Sequence, residues 1–91
     1  MAVTVRIPTS LRALTQGRDE LRAEAPSVEA LLDALEPASP GLRERVRDAR
    51  GIRRFINVYV NDEDIRFLDG LATVLKDGDE VTIVPAIAGG A

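Results

Sequence analysis

The chain offers little for side-chain catalysis. It has no Cys and no His. The first absence removes a thiolate nucleophile, a disulfide, and Cys-ligated zinc or iron–sulfur centres. The second removes the usual serine triad and the commonest acid–base group near pH 7. One polar cluster, Asn61-Asp62-Glu63-Asp64, has the look of a calcium loop. Such a loop needs Gly at its sixth position to turn the chain and Glu at its twelfth to close the coordination sphere. Counted from Asn61, those positions hold Arg66 and Ala72. Metal binding is not expected, and no cofactor is implied.

What remains is main-chain chemistry near the C-terminus. The stretch Ile83-Val84-Pro85-Ala86-Ile87-Ala88-Gly89-Gly90-Ala91 starts β-branched and ends small and uncharged. A Gly-Gly pair lets the backbone take any φ and enter a channel too narrow for a Cβ. The plainer reading of a lone Gly-Gly at this position is a frayed end. Only the domain in front of it decides between the two. A second candidate is the basic stretch from Gly41 to Arg54. There Arg43, Arg45, Arg47, Arg50, Arg53 and Arg54 face only Glu44 and Asp48 in opposition. A solvated arginine face is the plainer reading. The alternative is a docking patch for an acidic partner or a phosphate-bearing substrate.

The composition bounds what can position these groups. Ninety-one residues, 45% apolar and 30% charged, make one small domain that can bury a core without staples. No apolar run approaches the roughly 20 residues that span a bilayer. Met1-Ala2-Val3-Thr4-Val5 lacks a basic region followed by an apolar one, so no signal peptide is expected and a cytoplasmic protein is the default. A formal charge of −3, with one Tyr and two Phe to stack on bases, argues against nucleic-acid binding.

The elements follow from periodicity. Val3, Val5 and Ile7 alternate with Thr4 and Arg6, the pattern of a half-buried strand that Pro8 ends. Thr9 to Gly17 is a polar connection that tucks Leu11 and Leu14 onto the core. Leu21, Ala23 and Ala25 alternate again, predicting a second strand antiparallel to the first. Ser27 is a good N-cap and Glu29 suits the first turn, opening a helix whose Val28, Leu31, Leu32 and Leu35 form one apolar stripe. Pro37 and Pro40 close it. Gly41 to Arg54 is the least regular part, with Leu42 and Val46 spaced for a short helical turn. Phe55-Ile56-Asn57-Val58-Tyr59-Val60 is the strongest strand, with Ile56, Val58 and Val60 expected towards the helix and Phe55, Asn57 and Tyr59 away from it. A turn at 61–64 leads to Ile65-Arg66-Phe67, read as a very short strand, after which Leu71 and Leu75 return to the core. The Asp77-Gly78-Asp79-Glu80 turn then leads into Val81-Thr82-Ile83-Val84, a last strand that Pro85 should stop. The predicted architecture is α+β, a mixed sheet of four to five strands with one main helix packed across it. The domain is expected over 1–85, followed by a flexible tail over 86–91.

Strand, strand, helix, further strands and a Gly-Gly end is the β-grasp, or ubiquitin-like, arrangement. The chain resembles the ThiS/MoaD family of ubiquitin-like sulfur carriers. Phe55-Ile56-Asn57-Val58-Tyr59-Val60-Asn61-Asp62-Glu63-Asp64-Ile65-Arg66-Phe67, Gly70-Leu71-Ala72-Thr73, Asp77-Gly78-Asp79 and Ile83 to Gly90 carry the likeness. The branch it is most similar to is the one that serves cysteine biosynthesis. The resemblance implies a carrier acted on by enzymes rather than an enzyme. An E1-like adenylating enzyme of the MoeB/ThiF type would use ATP to adenylate the carboxylate of Gly90. Sulfur would then displace AMP, leaving a thiocarboxylate. A sulfur-accepting synthase of the cysteine synthase type would receive the tail Ile87-Ala88-Gly89-Gly90, and a JAMM-type zinc peptidase would release the product.

This chain continues past the second glycine with Ala91, which in this reading is removed in maturation or is an artefact of expression. Tyr59 and Val84, near Ile87 on the sheet face away from the helix, are the expected partner-docking residues. The competing expectations are a molybdopterin-synthase small subunit, a thiamine sulfur carrier, a ubiquitin-like modifier joined to lysines, and an interaction domain with no covalent chemistry.

Overall fold

The computed structural model describes residues 2–85. A mixed five-stranded sheet carries one main helix across one face. The strands are β1 (Val3–Arg6), β2 (Glu20–Ala23), β5 (Ile56–Val60), β6 (Glu63–Asp64) and β7 (Glu80–Pro85), in the order β2-β1-β7-β5-β6. β1 is antiparallel to β2, β7 is parallel to β1, and β5 is antiparallel to both β7 and β6. First and last strands therefore lie side by side at the sheet centre, the topology of a β-grasp.

The helix α1 (Val28–Leu35) forms where the sequence places it. The Ser27 Oγ accepts from the Ala30 N–H at 3.2 Å, and Glu29 stands in the first turn. Its stripe of Val28, Leu31, Leu32 and Leu35 is buried against Val3, Val5, Ile56, Val58, Val60, Val81 and Ile83. Leu11 and Leu75 are buried with them, and Leu14 and Leu71 pack on the rim.

Several local expectations are corrected. The strand does not stop before Pro85 but includes it, opposite Ile56. Antiparallel pairs alternate between hydrogen-bonded and non-bonded positions. The Asn61 N–H donates to the Glu80 carbonyl at 2.8 Å, so counting from that pair puts Ile56↔Pro85 at a non-bonded position. The missing N–H of Pro85 would point away from β5, towards a flank where β1 pairing has ended at Arg6↔Thr82. A proline is tolerated where nothing asks for its N–H.

Ile65–Phe67 is a 3₁₀ turn rather than a strand. Asn61 and Asp62 take positive φ of 51° and 72°, a tight two-residue turn that brings Glu63–Asp64 back onto β5 at once. The Asp64 carboxylate then accepts from the Arg66 N–H at 2.8 Å and caps the turn. The second strand covers 20–23, two residues short of Ala25. Phe55 lies before β5 and is 50% exposed. Gly41 to Arg54 is more regular than expected, with α2 (Leu42–Val46) followed by a small hairpin of β3 (Arg47–Asp48) and β4 (Gly51–Ile52). Within the polar connection expected over Thr9 to Gly17, Thr9–Thr15 is a 3₁₀ helix.

Candidate functional site

β7 is the element that delivers the tail. Val81 and Ile83 point into the core, each 2% exposed, so the root of the tail is held between β1 and β5. Thr82 and Val84 consequently point to the other face of the sheet. The register sets Tyr59 opposite Thr82 and Asn57 opposite Val84. Tyr59 and Val84 are thus diagonal neighbours on the face away from α1, within reach for an aromatic side chain. Tyr59 is half-buried and Val84 is 37% exposed.

One edge of this face is closed by Arg66. β6 pairs only with Tyr59 and Val60, so the outer edge of β5 is uncovered from Ile56 to Val58. The Arg66 guanidinium donates to the Ile56 carbonyl at 2.8 Å and to Asn57 Oδ1 at 2.6 Å. It also lies 3.8 Å from the Asp64 carboxylate. A charged side chain laid along an edge blocks addition of another strand there.

On the other flank of β7, β1 pairing ends at Thr82 while β7 runs on to Pro85. A groove of about 260 Å³ results, lined by Arg6, Pro8, Arg12 and Asp19 against Thr82 to Pro85. Arg6 donates to Glu80 at 3.1 Å and lies 3.9 Å from Glu20, linking three adjacent strands across the outer face. The hydrogen bond and charge of Glu80, with the charges of Glu20 and Asp19, hold the Arg6 guanidinium above its ordinary range.

This arrangement presents the outer face of β7 and fixes the root of the tail between β1 and β5. Among the described residues no group of acids, His or Cys could hold a metal ion. Every buried side-chain nitrogen and oxygen among them has a partner. The expected site residues Tyr59 and Val84 are brought together at the root of the tail. Ile87, Ala88, Gly89, Gly90 and Ala91 lie outside the described residues.

Two arginines of the basic stretch are tied to α1. Arg43 pairs with Asp33 at 2.8 Å and Arg47 with Glu29 at 3.0 Å, fastening α2 and β3 to the outer side of α1. The Glu36 carboxylate accepts from the Gly41 and Arg43 N–H groups at 2.9 and 3.2 Å. Those two bonds and the Arg43 charge lower its pKa despite some desolvation. Arg6 and Arg66 were not legible as site residues. Alternation puts Arg6 on the outer face, but its partner Glu80 is remote in sequence and only the β1–β7 pairing joins them.

Residues 5–90 match the ThiS family. The chain is 48% identical over 93 residues to the sulfur carrier protein CysO of Mycobacterium tuberculosis, covering 99% of this chain and 100% of that one. The crystal structure of the BexX/CysO complex of Amycolatopsis orientalis superposes with a TM-score of 0.92 at 48% identity, covering 97% of this chain and 99% of its own. The small archaeal modifier protein 1 of Methanosarcina acetivorans is 32% identical, with a TM-score of 0.82 over 98% of this chain and 96% of its own.

Proposed function

The chain belongs to the ThiS family, and from that premise we propose that it is a sulfur carrier whose Gly90 carboxylate is adenylated and then converted to a thiocarboxylate. The observation that carries this reading is the reach of the family match, which runs through the strand β7 and the tail to residue 90. The composition supports it. A carrier that holds sulfur on its own main-chain carboxyl needs no Cys or His, and this chain has neither.

The destination of the sulfur is cysteine biosynthesis, in keeping with the 48% identity to CysO across nearly the whole chain. An E1-like enzyme of the MoeB/ThiF type would supply the adenylate, docking on the face that carries Tyr59 and Val84. A synthase of the cysteine synthase type would accept the sulfur, and a JAMM-type zinc peptidase would release the product. Ala91 would be removed first, because adenylation needs a free carboxylate on Gly90. The reactions would take place in the cytoplasm. Among the described residues no helix is long and apolar enough to cross a membrane.

A second reading is favoured by the likeness to the archaeal modifier at 32% identity. An adenylated Gly90 could equally be passed to a lysine amine of a target protein.

The reading separates folding from chemistry. Deleting residues 89–91 leaves the described core, from Val3 to Ile83, in place, so stability should change by less than about 1 kcal/mol. The same deletion should abolish ATP–pyrophosphate exchange by the adenylating enzyme. Exchange that survives the deletion would remove Gly90 from its role.

A further inference from the structure

The chain has twelve basic residues, and only Lys76 is a lysine. The distinction matters for a protein with an activated carboxyl. A lysine amine can lose its proton and attack an acyl group, whereas guanidinium stays protonated and is no nucleophile. Among the described residues, the cations beside the root of the tail are arginines. Arg6 and Arg12 line the groove beside Pro85, and Arg66 bonds to Ile56, the residue paired with Pro85.

Lys76 stands at the other end of β7. It precedes the turn closed by the Asp79 N–H on the Lys76 carbonyl, ahead of Glu80 where β7 begins. Its side chain is exposed, and its ammonium has no partner among the described residues. The strand from Glu80 to Pro85 rises about 17 Å. Residues 86–90, fully extended, also span about 17 Å. To reach its own Lys76 the tail would have to reverse at Pro85 and run straight back along the entire strand.

We propose that the choice of arginine confines self-acylation at the side chains of this carrier to Lys76, and to reaction between two copies. The inference rests on the reading of Gly90 as the activated residue. The step would be attack of the Lys76 Nζ of one copy on the Gly90 carbonyl carbon of another. The N–C bond forms, the C–O bond to AMP breaks with AMP taking the electron pair, and the amine proton passes to solvent. ATP is the co-reactant consumed in making the adenylate. Arginine at the tail root would therefore preserve the activated carboxyl for sulfur transfer.

The test uses residues 1–90 prepared chemically as a C-terminal thioester, with the α-amine acetylated so that only side chains compete. Attack then breaks the C–S bond and releases the thiolate. At low concentration the thioester should only hydrolyse. At high concentration a covalent dimer should form at a rate rising with the square of concentration, its cross-link mapped to Gly90 and Lys76. Lys76→Arg should abolish it. Arg6→Lys and Arg12→Lys, made separately, should yield a monomer lighter than the hydrolysed acid by one water, even at low concentration. The proposal is overturned by wild-type monomer cyclising when dilute, by dimers that persist in Lys76→Arg, by wild-type that forms none, or by both groove variants hydrolysing as wild type does. No adenylating enzyme takes part, so failure here leaves the carrier reading to its own test, and failure of enzymatic adenylation leaves these outcomes readable.

Discussion

Replacing Asn61 separates two contributions at the turn that joins β5 to β6 and holds the start of β7. The Asn61 Oδ1 accepts from the Glu80 N–H at 3.0 Å, and its Nδ2 donates to Asp79 Oδ1 at 2.9 Å. Its φ of 51° lies in the left-handed region, which Asn tolerates better than most residues. Asn61→Gly keeps the backbone free to adopt that φ and loses both side-chain bonds. Each such bond contributes about 0.5–1.5 kcal/mol, and exposure puts these two towards the lower end, so the loss should be about 1–2 kcal/mol. Asn61→Ala loses the same bonds and adds the cost of a Cβ in the left-handed region, about 1 kcal/mol more. Urea unfolding of the three proteins checks both steps. For a domain of this size each kcal/mol lowers Tm by about 4–8 °C. The reasoning is refuted if Asn61→Ala and Asn61→Gly are equally stable, or if Asn61→Gly matches wild type.

Two further outcomes follow from the site and its surroundings. Tyr59→Ala and Val84→Asp should each weaken binding to the adenylating enzyme by about tenfold or more, the scale of an interface anchor, while far-ultraviolet dichroism stays unchanged; titration calorimetry checks this. The Glu36 pKa is lowered in the fold, first by the Gly41 N–H. Its stabilisation is therefore present above the unfolded carboxylate pKa and lost as pH falls through the lower, folded value. Wild type should be more stable than Glu36→Gln near neutrality, and the gap should close in acid; a gap that is the same at every pH would contradict the assignment.

What was legible in the sequence is what local pattern encodes. Alternation at Val3-Val5 and at Ile56-Val58-Val60, the Ser27 cap and the stripe of α1 each reflect residues near one another in the chain, and each stands as read. The misreadings share a different cause. Pro85 stays in its strand because of the register with Ile56 and the end of β1, facts that belong to the assembled sheet. Ile65 and Phe67 read as strand by residue type, but the Asp64 carboxylate competes for the backbone and turns it. The arginine stretch looked irregular because Arg43 and Arg47 find their partners on α1, across a gap that no local pattern spans. The outer face was legible in part. Period two assigned Tyr59 and Val84 to one side, while Arg6 and Arg66 became visible only with the strand order.

The central claim is that sulfur is held on the carboxyl of Gly90, and intact-mass measurement tests it most directly. Two forms, one ending at Gly90 and one ending at Ala91, are incubated with the adenylating enzyme, ATP and a sulfide source. An amide carbonyl cannot accept AMP, and the methyl of Ala91 is the Cβ that a channel fitted to glycine excludes. The form ending at Gly90 should gain the mass of one oxygen exchanged for sulfur. The form ending at Ala91 should stay unchanged until a JAMM-type peptidase is added. Sulfur acquired while Ala91 is still attached would contradict the account, and so would a form ending at Gly90 that gains none.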